Sequence, residues 1–305
     1  MGMQAIVSQL AVLFILLILG YLGGKLKVLT SDTGVVLTRL VMNITLPCTA
    51  LGSVVRGDLV ISGWETAFFI LMALLALLIG FLIAAPSALV LVKGKQARGL
   101  YSYLIMFANV AFMGYPVTYA IYGASSVFYV AINNIPFLAV VFTAGTILMS
   151  GKGGKLSPKV FVTPALISAL MVIPLALIGF RAPPVLADAI ILTGTVTTPA
   201  SMLIIGVTLS QVPVKSVFTN WRLYPMAAIK LIVVPVVTWL VLRLFIADDF
   251  ILGMLVILSA MPSAAIAAMH AIEHGNDERT VSAGIFLTTL LSCATIPLIV
   301  YLFLT

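Results

Sequence analysis

Of the 305 residues, 62% are hydrophobic and only 8% are charged, and the mean hydropathy is +1.25. Soluble globular chains carry about 25% charged residues, so 16 Lys or Arg and 9 Asp or Glu are too few to cover a water-facing domain of this size. The composition excludes an ordinary soluble protein and makes lipid the solvent.

A formal charge of +7 does not imply a nucleic-acid partner, because the basic residues are short punctuation between long apolar runs, a membrane-topology pattern. Cys48 and Cys293 both lie inside apolar runs and suggest neither a disulfide scaffold nor a metal knuckle.

Ten stretches are long enough to cross roughly 30 Å of hydrocarbon as helices. They run over 4–24, 32–54, 64–90, 99–121, 125–149, 160–180, 186–210, 217–243, 249–272 and 281–304. The first has no positive residue before it and Lys25 and Lys27 after it, the opposite of a cleavable signal peptide, so it reads as a permanent span with an external N-terminus. The second is interrupted by Arg39, Asn43 and Pro47 and is kept as a broken span, since a loop at that depth would leave backbone groups unsatisfied.

Eleven Lys or Arg residues, including Lys93, Arg98, Lys152 and Arg279, fall on the side holding the loops after odd-numbered spans; the other side holds Arg56, Arg181 and Arg243. The positive-inside rule places both termini outside and the loop 150–159 in the cytoplasm of a multi-pass cell-membrane protein.

An odd number of spans per half means that a duplicated fold enters the membrane from opposite sides. Pro47 and Pro199 are 152 positions apart and Pro116 and Pro262 are 146 apart, both near half the chain. The expected organisation is an N-terminal five-helix repeat over 1–149, a Gly- and Lys-rich connector over 150–159 and an inverted five-helix repeat over 160–305. Paired interrupted helices in such repeats point to a transporter's central site.

The helix-break residues are Pro47, Gly114, Pro116, Pro199 and Pro262. Proline removes an N–H and opposes the preceding turn, freeing carbonyls near Phe112 and Met113 in span 4. Asn109 can satisfy such groups or hold a polar ligand, and Ser259 and Ser263 flank Pro262. Broken spans 4 and 9, crossing near mid-membrane, would turn the positive ends of their second halves toward an anion or a neutral ligand. Asn43 and Thr198 accompany the breaks of spans 2 and 7, while Asn133 and Asn134 read as helix-to-helix hydrogen-bonding residues. Arg39 and Lys230 fit snorkelling to the cytoplasmic interface, with Lys230 alternatively an internal counter-charge; Glu65 is a weaker gate candidate.

His270, Glu273 and His274 form an HxxEH segment resembling an inverted zinc-peptidase pattern. No remote ligand accompanies it, so no metal is assigned, and His270 reads instead as a rim residue titrating at a gate. No nucleotide-binding loop appears. The readings left open from other classes are a membrane-embedded metallohydrolase using HxxEH, a passive channel and a non-transporting membrane scaffold.

The segments LVMNITLPCTALGSV around Pro47, ANVAFMGYPVTYAIYG from Ala108, TTPASMLIIGVTLS from Thr197 and LSAMPSAAIAAMHA from Leu258 resemble the auxin efflux carrier family, in its bacterial branch of organic-acid permeases. The resemblance implies a non-enzymatic, elevator-type carrier. Spans 1, 2, 6 and 7 would form a scaffold able to support a homodimer, and spans 3–5 and 8–10 a transport domain. The site would lie where spans 4 and 9 cross, with Asn109, Pro116 and Pro262 at its centre and Asn43 and Thr198 on the scaffold side. The implied activity is secondary or potential-driven transport of small organic anions such as malonate, malate or an auxin-like acid, without a cofactor and with proton or sodium as coupling-ion candidates. A sodium-coupled bile-acid-like symporter is the alternative within the class.

Overall fold

The computed structural model describes residues 3–59, 61–151 and 163–303. Among these residues there is no strand beyond one isolated bridge. The helical segments are α1 (Gln4–Lys25), α2 (Ser31–Gly52), α3 (Gly63–Leu91), α4 (Lys95–Met106), α5 (Tyr115–Tyr122), α6 (Ser125–Ser150) and α7 (Pro164–Leu177). They continue with α8 (Pro184–Gln211), α9 (Val214–Thr219), α10 (Leu223–Leu242), α11 (Asp249–Ala260), α12 (Ile266–Glu273) and α13 (Glu278–Phe303).

Seven segments, α1, α2, α3, α6, α8, α10 and α13, are long and apolar enough to cross a membrane, and α7 and α11 are shorter apolar helices. The chain is an all-α polytopic membrane protein. The stretch 99–121 is divided between α4 and α5, and 249–272 between α11 and α12. From Lys152 onward, the connector expected at 150–159 lies outside the described residues.

Three π-turns, Val41–Thr45 in α2, Val110–Gly114 before α5 and Ile229–Val233 in α10, are followed within two residues by Pro47, Pro116 and Pro235. The proline ring opposes the carbonyl four residues back, here that of Asn43, Phe112 or Leu231. Each of those carbonyls lies inside the wider turn, which accommodates the ring without ending the helix. Pro47 and Pro116 therefore do not interrupt their helices, contrary to the sequence expectation. Pro199 is the third residue after a turn at Val196 in α8, within the first turn where its missing N–H costs little.

The described residues of Met1–Leu71, Ala111–Leu138 and Pro158–Gln211 form one compact unit. In it α1 packs against α8, and glycines permit the approach of the two backbones. A Cβ at Gly206 would lie 2.5 Å from the Tyr21 nitrogen, and one at Gly20 would lie 2.6 Å from the Leu203 carbonyl oxygen. Threonines join α2 to α8: Thr197 Oγ1 is 2.9 Å from Thr45 Oγ1 and 2.7 Å from Thr49 Oγ1, and Thr49 Oγ1 is 2.9 Å from the Gly194 carbonyl oxygen. Thr45 and Thr197 share the 152-residue offset of Pro47 and Pro199, so positions related by the proposed duplication meet each other.

The described residues of Met72–Val110, Ala139–Ser157 and Val212–Thr305 form the second unit. Its boundaries fall within α3, after Val110 and within α6. Here α4 packs on the end of α6, and α13 packs on α11 and α12. Asp277 caps α13, accepting from the Thr280 N–H at 3.0 Å and the Thr280 hydroxyl at 2.6 Å.

Gly206→Leu should overpack the α1–α8 contact at a cost of about 1–3 kcal/mol, lowering the thermal unfolding midpoint of the purified protein by several degrees. Gly63→Ala serves as the control: its Cβ would meet only a Leu177 methyl at 4.0 Å, and the midpoint should not move.

Candidate functional site

Two interruptions of helical segments meet inside the second unit. The interruption between α11 and α12 follows directly from Pro262, because a residue preceding proline is driven to extended geometry. Met261 accordingly has φ −60° and ψ 149°. The interruption after α4 has no proline of its own: Phe107 turns extended, at φ −90° and ψ 124°, nine residues before Pro116. What holds it open is the partner segment. The Asn109 N–H donates to the Pro262 carbonyl at 2.8 Å, and the Ala264 N–H donates to the Phe107 carbonyl at 2.9 Å. These two bonds frame an antiparallel pair, Ala108 and Ser263.

Side chains satisfy further groups that the breaks expose. The Ser263 hydroxyl donates to the Leu104 carbonyl in the last turn of α4 at 2.7 Å. The Ser263 N–H donates at 3.2 Å to Thr288 Oγ1, whose own hydrogen goes to the Gly284 carbonyl at 2.8 Å. Asn109, Ser263 and Thr288 are all buried. In a hydrocarbon solvent an unsatisfied backbone group costs several kcal/mol, so these bonds are what lets two breaks be buried together.

Lys230, in the π-turn of α10, does not snorkel to the interface. It is fully buried at 0% exposure, and its Nζ donates to the Ser259 carbonyl at 3.2 Å. Ser259 contributes through that carbonyl, since its hydroxyl bonds back to the Val256 carbonyl at 2.7 Å.

His270 is not a rim residue either, at 1% exposure. Its Nδ1 lies 3.2 Å from the Tyr103 hydroxyl, and its ring centroid is 5.3 Å from that of Phe142 and 6.2 Å from that of His274. Among the described residues, no group of three His, Cys, Asp or Glu is placed to hold a metal ion. A cavity of about 510 Å³ in the same unit is lined by Gln96, Tyr101, Asn220, Arg222, Asn276 and Asp277, among others, and by none of the residues of the paired interruptions.

The other expected site residues fall in the first unit. Pro116 is the second residue of α5, and the carbonyl of Gly114 before it accepts from the Thr118 hydroxyl at 2.7 Å. Asn43 is exposed and donates to the Arg39 carbonyl of its own helix at 2.8 Å. Thr197, rather than the neighbouring Thr198, makes the bonds to α2. Glu65 is exposed and closes a capping box at the start of α3: it accepts from the Ser62 N–H at 3.0 Å, and its own N–H donates to the Ser62 hydroxyl at 3.1 Å. Asn134 is buried and donates to the Val130 carbonyl at 3.0 Å.

Thr288 escaped the sequence reading, because a threonine in an apolar run gives no sign of whether it bonds its own helix or another segment. Tyr103 reads from the sequence as an interfacial or packing residue, and the structure buries it.

Helical spans with two mutually paired interruptions define a polytopic membrane protein of transporter type. The family model described as "Membrane transport protein" matches residues 5–160 and 155–300, and the chain belongs to this family, that of the auxin efflux carriers. It is 28% identical over 297 residues to an uncharacterized transporter of Methanothermobacter thermautotrophicus, covering 93% of this chain and 94% of that protein. It is 24% identical over 309 residues to a Rhizobium meliloti protein described as "Putative malonate transporter", covering 95% and 93%. An uncharacterized transporter of Methanocaldococcus jannaschii is 23% identical over 299 residues, covering 94% and 95%.

Thr288→Val keeps the side-chain shape but leaves the Ser263 N–H without its acceptor, at an expected cost of about 1–3 kcal/mol. The thermal midpoint should fall. Thr238→Val removes a buried hydroxyl that has no partner among the described residues, and this substitution should leave the midpoint unchanged or raise it.

Proposed function

We propose that this chain is a secondary carrier of small organic anions, with malonate-sized mono- and dicarboxylates as substrates and alternating access as the mechanism. The observation that carries the reading is the paired interruption of α4 and α11–α12, with Asn109 and Ser263 buried at the pairing. A carboxylate entering there exchanges its water shell for the side-chain amide of Asn109 and for the positive end of a half-helix. Membership of a transport family and the malonate named in the description of the Rhizobium meliloti relative support the same class. The protein translocates its substrate without covalent turnover.

In this reading ten crossings form two inverted five-helix repeats, with both termini outside and the loop 150–159 cytoplasmic. Spans 3–5 and 8–10 carry the solute as an elevator, while spans 1, 2, 6 and 7 stay fixed and offer a homodimer surface. The flux runs on the solute gradient, the membrane potential or a coupled ion.

Reconstituted protein should take up labelled malonate saturably, and malonate preloaded inside the vesicles should accelerate that uptake. Asn109→Ala should weaken apparent affinity by about tenfold, the loss of one hydrogen bond to a charged group, with membrane insertion unchanged. Flux that neither saturates nor responds to internal malonate would identify a pore or an inert scaffold instead.

A further inference from the structure

Three turns of the second unit close around the cavity of about 510 Å³, a volume in the range of small-molecule sites. Each turn borders an apolar span: Val92 follows the last residue of α3, Asn220 and Arg222 precede α10, and Asn276 and Asp277 precede α13. The cavity therefore lies where three spans leave the hydrocarbon, at the level of lipid headgroups. Side chains hold its walls. The Gln96 amide donates to the Gly275 carbonyl at 3.2 Å, and the Asn276 amide donates to the Met149 carbonyl at 2.8 Å. Asn220 shares a hydrogen bond with the hydroxyl of the buried Tyr101.

Two lining residues are charged, Arg222 and Asp277, and they differ in what they leave for a ligand. Both oxygens of Asp277 are engaged at the start of α13, one by the Thr280 N–H and one by the Thr280 hydroxyl. Arg222 is exposed, with its guanidinium 5.6 Å from the centroid of the Trp221 ring. It takes no part in the ion pairs among the described residues, which are Arg56 with Asp188 and Arg243 with Asp249. Its fork of N–H donors is thus the charge on offer, and that fork matches a phosphate. Exposed Lys93, Lys95, Lys215 and Arg279 flank the same turns, against exposed Glu273 and Glu278, so the surrounding field favours an anion. Phe218, Trp221 and Tyr224 are exposed between α9 and the first turn of α10, as aromatic anchors are at a membrane interface.

We infer that this cavity is a headgroup site for an anionic phospholipid, with the phosphodiester on Arg222 and headgroup hydroxyls donating to the acceptors that Gln96 and Asp277 supply. Basic pockets between spans at this depth are where such headgroups bind. The site shares no residue with the paired interruptions, so it goes beyond the carrier reading and stands or falls without it.

The test titrates phosphatidylglycerol or phosphatidylcholine into the purified full chain in detergent and follows the thermal unfolding midpoint. Phosphatidylglycerol should raise the wild-type midpoint saturably by about 2–4 °C, and phosphatidylcholine should not. Arg222→Gln should raise the half-saturating phosphatidylglycerol fraction about tenfold, the loss of one hydrogen bond to a charged group. Lys215→Gln removes the same charge from α9, outside the cavity, and should stay near the wild-type value. Should Arg222→Gln not fold, Arg222→Lys takes its place, with the smaller loss expected of a charge without the fork.

Equal stabilisation by the two lipids would overturn the inference, as would equal losses in the Arg222 and Lys215 variants, which mark a diffuse charge effect. Glycerophosphoglycerol, the same headgroup without acyl chains, should give no shift at matched concentration. A full shift with it would overturn the lipid assignment in favour of a soluble phosphodiester.

Discussion

Backbone hydrogen bonding in a solvent that offers none is the constraint on which this protein depends. An uninterrupted helix meets it internally, and most of the chain takes that solution. Two segments do not. The breaks after Met106 and after Ala260 leave amides and carbonyls that water would normally satisfy, and the two segments satisfy each other instead through the Asn109–Pro262 and Ala264–Phe107 bonds. Neither break is affordable alone. Their pairing also explains why the elements bearing a polar site converge inside an otherwise apolar unit: Leu104, Ser263 and Thr288 are drawn to the same place by the same unmet groups.

The first unit meets a milder form of the problem in a different way. In α2, Pro47 is absorbed by a π-turn, and in α8 Pro199 sits in a first helical turn, so the helices run on and few groups are orphaned. The threonines at 45, 49 and 197 bond to one another where the two elements meet. At Gly20 and Gly206 the α1 and α8 backbones pack directly on each other. Both units thus hold prolines within continuous helices, Pro235 and Pro297 among them in the second, and Pro262 alone of those discussed becomes an opening.

The legibility of these features in the sequence followed how local their cause is. Pro262 was readable as a break because the steric effect of proline on the preceding residue acts within one peptide unit. The break at Phe107 was assigned instead to Pro116, since its cause is a tertiary pairing that leaves no local mark. The positions of most apolar spans were readable from hydropathy, but hydropathy does not tell a broken span from a continuous one. Lys230 and His270 were misplaced for a related reason: a single ionisable residue near a span end looks interfacial unless the bend that turns it inward is known. Glu65 and Asn43 were singled out as rare polar residues, and their hydrogen bonds are local, to a capping box and to the preceding turn.

The direct pairing of the two interruptions is the central claim, and disulfide trapping tests it in the membrane. Ala108 and Ser263 form the non-hydrogen-bonded pair of the bridge, whose Cα atoms are about 4.5 Å apart in such geometry, within the range a disulfide spans. With Cys48 and Cys293 replaced by serine, Ala108→Cys combined with Ser263→Cys should cross-link rapidly and nearly completely under mild oxidation in intact membranes. Ala108→Cys combined with Val256→Cys, two turns away along α11, should not. Absence of the first cross-link in folded protein, or equal yields from both pairs, would contradict the account.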